Sequence, residues 1–110
     1  MLSRPSLSAQ ERKLYSALRD LLSHPGLLRG NLVVMRRKCG KASCRCAQDP
    51  DQRHASLYLS MSHEGKRRMV YIPAPWEERV REWVGRYAQV RDVLGELSQA
   101  CLKRLESRED

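Results

Sequence analysis

No stretch of this 110-residue chain is apolar for long enough to cross a bilayer, and its start, Met1-Leu2-Ser3-Arg4-Pro5, lacks the apolar centre of a signal peptide. A cytoplasmic protein without a membrane partner is expected. Acidic side chains are scarce, 13 against 21 lysines and arginines, and they form no cluster with histidine of the kind that general acid–base chemistry uses. An enzyme is not expected. The chain is also short, near the size below which one hydrophobic core struggles to hold a fold unaided. One domain over residues 1–110, helped by some staple, is the natural expectation.

Cysteine is rare too, but its placement is not random. Three of the four cysteines fall within eight positions, Cys39-Gly40-Lys41-Ala42-Ser43-Cys44-Arg45-Cys46, and His54 follows eight residues later. Tetrahedral structural zinc takes thiolate sulfur and imidazole nitrogen, so Cys39, Cys44, Cys46 and His54 make a complete Cys3His set for one Zn2+. A filled shell leaves no place for water, so the ion would hold the fold rather than catalyse. Gly40, Ala42 and Ser43 suit a tight knuckle, and Lys41 and Arg45 offset part of the negative charge of three sulfurs. His63 is the alternative fourth ligand if the chain folds back. Disulfides among these cysteines would close only short loops, which add little. Basic neighbours depress thiol pKa, so redox sensing by Cys44 and Cys46 is a further alternative.

Around this segment the pattern predicts an α+β chain. Ser8 and Glu11 form a capping box at the start of a helix over residues 8–23, with Leu14, Leu18 and Leu21 or Leu22 as its apolar stripe and Pro25-Gly26 as its stop. Asn31 to Lys38 reads as a strand leading into the zinc loop. Leu57, Leu59 and Met61 alternate with polar residues in a second strand from Ser56 to Ser62. His63-Glu64-Gly65-Lys66 is a hairpin turn, and Arg67 to Ile72 returns antiparallel, giving a three-stranded meander within residues 31–72. A long helix over residues 75–107 opens at Pro75, with Glu77 and Glu78 in its first turn. Val80, Trp83, Tyr87, Val90, Leu94, Leu97 and Cys101 repeat by three and four along it, like a coiled-coil seam. Packing of the first helix on the first half of this seam is expected. Its end, Val90, Leu94, Leu97 and Cys101, is the candidate homodimer surface, and the charged stretch from Lys103 to Asp110 is expected to fray.

Charge is concentrated where the cysteines are. Between Arg29 and Ile72 ten basic side chains face three acidic ones, which accounts for +7 of the formal +8. Lysine and arginine that neutralise phosphates release counterions, so a basic sheet beside a rigid metal knuckle points to nucleic acid, DNA or RNA. The candidate contacts are Arg36, Arg37, Lys38, Lys41, Arg45, Arg53, Lys66, Arg67 and Arg68, with Tyr58 able to stack on an unpaired base. The plainer reading of Arg36 to Lys38 and Lys66 to Arg68 is solvated strand edges that discourage sheet pairing. The alternative function is a protein-interaction or dimerisation module acting through the heptad helix.

The run Arg36 to Cys46 with His54, the Tyr58-Leu59-Ser60 strand, the Gly-Lys hairpin and Val70-Tyr71-Ile72-Pro73 before a long helix resembles a family of short, uncharacterised bacterial and archaeal proteins. Their signature is Cys-Gly-Lys-x-x-Cys-Arg-Cys preceded by Arg-Gly-x-Leu, here Arg29-Gly30-Asn31-Leu32. The likeness covers about residues 28–97. It implies a metal-binding domain and supplies no settled role.

Overall fold

The computed structural model describes residues 6–37 and 54–108. In chain order they form helix α1 (Ala9–Ser23), strands β1 (Asn31–Arg37), β2 (His54–His63) and β3 (Lys66–Ile72), a single 3-10 turn (Ala74–Trp76) and helix α2 (Glu77–Ser107). The α+β expectation holds: an N-terminal helix, a three-stranded antiparallel sheet in the order β1-β2-β3, and a long C-terminal helix. The expected zinc loop falls outside the described residues. None of the described helices is long and apolar enough to cross a membrane.

The chain divides into two compact units, Met1–Leu27 with Gly85–Asp110, and Leu28–Val84. In the second, alternation along the strands decides what is buried. Leu57, Leu59 and Ile72 point to one face and are buried with Val80 of α2, while Leu32, Met61, Val70, Trp83 and Val84 pack around them. Each fully buried aliphatic side chain contributes about 1.5–3 kcal/mol relative to exposure. Gly30 opens β1 at φ +156°, and a Cβ there would lie 2.7 Å from Leu59 Cδ1 and 3.0 Å from the Ser60 carbonyl oxygen. The tight β2–β3 hairpin places Glu64 at φ 51° and Gly65 at φ 79° between the paired residues His63 and Lys66. Positive φ at both central positions is the two-residue turn whose twist matches the strands.

In the first unit the capping box is formed as the sequence indicates. Glu11 N–H donates to Ser8 Oγ at 3.1 Å, and Ser8 N–H donates to Glu11 Oε1 at 3.2 Å. The Arg104 guanidinium also donates to Glu11 Oε1, and to the Ser6 carbonyl at 2.5 Å. At the other end of α1, Arg86 donates to the carbonyls of Pro25 and Gly26 at 2.5 and 2.6 Å. These contacts run α1 antiparallel along residues 86–104 of α2.

Two expectations are corrected here. The first helix packs along α2 from Arg86 onward, not from its start, because Val80, Trp83 and Val84 are taken up by the sheet. The stretch from Lys103 does not fray at once: it stays helical through Ser107, with Arg104 half-buried against α1. Val90 and Leu97 of the expected dimer seam are buried, whereas Leu94 and Cys101 are exposed.

Candidate nucleic-acid interface

Register places the expected basic and aromatic residues on two faces and at two ends of the sheet. Arg36 pairs with Ala55 and Arg68 pairs with Met61, on opposite edge strands. Six residues of β2 separate those positions, about 20 Å at 3.4 Å per residue. Arg36 and Lys66 to Arg68 therefore do not form one patch with Tyr58. Arg36, Lys66 and Arg68 share the face of the buried leucines but lie at its exposed margins, while Tyr58 and Arg67 stand on the opposite face.

That outward face begins with Val33↔Tyr58↔Tyr71, continues through Asn31↔Ser60↔Met69, and ends with Ser62↔Arg67. Its alternating positions from Asn31 to Met35, Ser56 to Ser62 and Arg67 to Tyr71 carry no carboxylate. Tyr58 and Tyr71 meet edge to face, with centroids 5.6 Å apart at 66°. Tyr58, on the central strand, is half-buried, whereas Tyr71 on the edge strand is 55% exposed. Arg67 Nε donates to Ser60 Oγ at 3.1 Å, which holds an exposed guanidinium against the sheet. Beyond Tyr71, Pro73 and Trp76 share with it a small apolar cleft, and the Arg79 guanidinium lies 4.4 Å from the Trp76 ring centroid.

The hairpin end is cationic. Arg29 Nη2 donates to the Ser62 carbonyl at 2.9 Å, which brings a fourth cation to the end that carries Lys66, Arg67 and Arg68. Glu64 is the single acidic residue in the turn, 3.6 Å from His63 Nε2. Sequence reasoning counted Arg29 as charge but did not place it, and it passed over Tyr71 because only β2 was weighed as an aromatic surface. The pairing of Tyr58 with Tyr71 becomes visible only once the hairpin register is fixed.

The metal set cannot be assembled from the described residues. Cys39, Cys44 and Cys46, like Lys38, Lys41, Arg45 and Arg53, lie outside them, and Arg37 and His54 are placed by backbone alone. Those two residues pair with each other, so the ends of the segment bearing the cysteines are held side by side by the sheet. His63 lies at the far end of β2, nine residues and about 30 Å from His54. Among the described residues no other group of histidines, cysteines and carboxylates has the geometry to hold a metal.

A family model described as a domain of unknown function (DUF6788) matches residues 6–82. The chain belongs to this family. No curated protein and no solved structure matches it. The DUF6788 match takes in α1, the whole sheet and the first residues of α2, and ends within that helix.

Proposed function

We propose that this member of the DUF6788 family is a small zinc-stabilised nucleic-acid-binding protein that contacts phosphates through its basic sheet and metal loop. The observation that carries the reading is the carboxylate-free outward face, which presents Tyr71 and runs into a hairpin end with Arg29, Lys66, Arg67 and Arg68. Clustered cations supply the attraction, and an aromatic face gives unpaired bases somewhere to rest. Cys39, Cys44, Cys46 and His54 are the residues we assign to Zn2+, as a structural site with no open position. Bound there, the ion would also steady Lys41 and Arg45, which lie between its ligands in sequence. Reduced cysteines in such a set fit the cytoplasm, and the role is binding rather than catalysis.

The test is a titration of labelled single- and double-stranded DNA and RNA at low salt, with elemental analysis of the reduced protein and of Cys44→Ser. Absence of binding to all four nucleic acids sinks the reading. Metal-free wild-type protein removes the zinc. A second reading rests on a separate observation: Leu94 is 50% and Leu105 72% exposed on α2. Pairing with a second copy through that helix, abolished by Leu94→Asp in sedimentation, would support a dimerisation module.

A further inference from the structure

We infer that the ligand is single-stranded, and that Tyr71 is the residue on which an unpaired base stacks. This rests on the nucleic-acid reading above and goes beyond it by naming the class of strand and the residue that selects it.

Charge and aromaticity are segregated along the sheet. The outward column of β3 runs Arg67, Met69, Tyr71, so about 14 Å of strand separates the guanidinium from the ring. Arg67 is fixed to Ser60, Met69 is 40% exposed, and Tyr71 is the most exposed aromatic residue of the described chain. The middle of the face is therefore neutral and soft, with Arg67 at its hairpin end beside Arg29, while Lys66 and Arg68 stand at the same end on the other face. A duplex resting there would present two rails of phosphate to a surface whose centre holds no cation, and its base faces are already occupied by their neighbours in the stack. A single strand meets no such conflict. Its phosphates can engage Arg67 and Arg29, and turn over the hairpin end toward Lys66 and Arg68 on the other face, while a base is laid on Tyr71, a contact that tolerates any base because every base has a π-face.

The far end sets a limit on the path. Trp76 continues the apolar surface past Tyr71, but Glu77 and Glu78 follow at once in the first turn of α2. These two carboxylates outweigh the single Arg79 guanidinium over Trp76, so the backbone is drawn toward the hairpin and a base extends toward the α2 start. Tyr58 plays a different part. Half-buried on the central strand, it backs Tyr71 edge to face and fixes the tilt of the ring.

The experiment uses the full chain with its metal and three fluorescent probes of equal phosphate count: a mixed-sequence single strand, a duplex of half its length, and an abasic single strand. The expected result is tighter binding of the intact single strand than of the duplex. Tyr71→Ala weakens single-strand binding about tenfold, the ordinary worth of one base–aromatic stack. Tyr71→Phe keeps it, and the slope of log K against log salt is unchanged in both variants. The abasic strand loses a similar factor on wild-type protein, a readout that does not depend on how any variant folds. Duplex binding equal to or tighter than single-strand binding, or an abasic strand bound as well as the intact one, overturns the inference but leaves the nucleic-acid reading standing. No binding to any probe overturns both.

Discussion

Gly30 and Glu64 show how much of the sheet rests on single positions. At Gly30 a methyl group would press into Leu59 and the Ser60 carbonyl, on the central strand and against the core, where neither neighbour has room to give. Gly30→Ala is expected to destabilise the protein by about 1–3 kcal/mol through overpacking and backbone strain, read as a lower urea midpoint with unchanged slope. Glu64 is the opposite case. It is a non-glycine residue at φ 51°, with open solvent around it, in a turn that prefers asparagine followed by glycine. Glu64→Asn is expected to stabilise by about 0.5–1 kcal/mol, and a fall in midpoint would show that its contact with His63 outweighs the turn. Both positions could be picked out in the sequence as punctuation, Arg29-Gly30 before a strand and Glu64-Gly65 between two. The sign of each effect needed the neighbouring atoms.

Helix α1 is joined to α2 through one carboxylate that serves two purposes. Glu11 caps its own helix, a local pattern that four consecutive residues reveal, and it also receives Arg104 from 93 residues away, which no local pattern reveals. Arg104 sits in a column with Val90 and Leu97, but a search for apolar repeats passes over an arginine and takes Leu94 and Cys101 instead. That is why the heptad reading found the helix and its partner but not the stretch of α2 on which that partner lies. The hydrogen bond from Arg104, followed by that from Ser8 N–H, holds the Glu11 carboxyl below its usual range. A carboxylate whose folded pKa is depressed adds stability that is complete above its unfolded value, about 4.3 for glutamate, and is lost as pH falls through the folded value. The thermal midpoint of wild type should therefore drop faster on acidification below about pH 4.3 than that of Glu11→Gln, which starts lower at neutral pH. Parallel profiles for the two proteins would show that the carboxylate and guanidinium are not coupled in solution.

At the scale of the whole sheet, Arg36 and Arg37 at the end of β1 and Lys66 to Arg68 at the hairpin stand at opposite ends, about 20 Å apart along β2 from Ala55 to Met61. Element order, strand pairing and turn position were legible in the chain because period-2 alternation and Gly-Pro punctuation are local signals. The division of its basic residues between two ends was not, since charge counted along a sequence carries no register. If the two regions bind one strand, each releases its own counterions, and sites so far apart contribute nearly independently. Four cations at the hairpin end correspond to a slope of log K against log salt of about −3 on single strands, at roughly −0.7 per phosphate neutralised. Replacing Lys66 and Arg68 together by alanine should make the measured slope shallower by about 1.4. If the protein holds zinc as proposed, stripping it should weaken binding by a separate increment. Applied together, the two changes should add in free energy. A chelator effect that disappears once Lys66 and Arg68 are gone would mean that the metal segment acts through the hairpin end, and that there is one binding region instead of two.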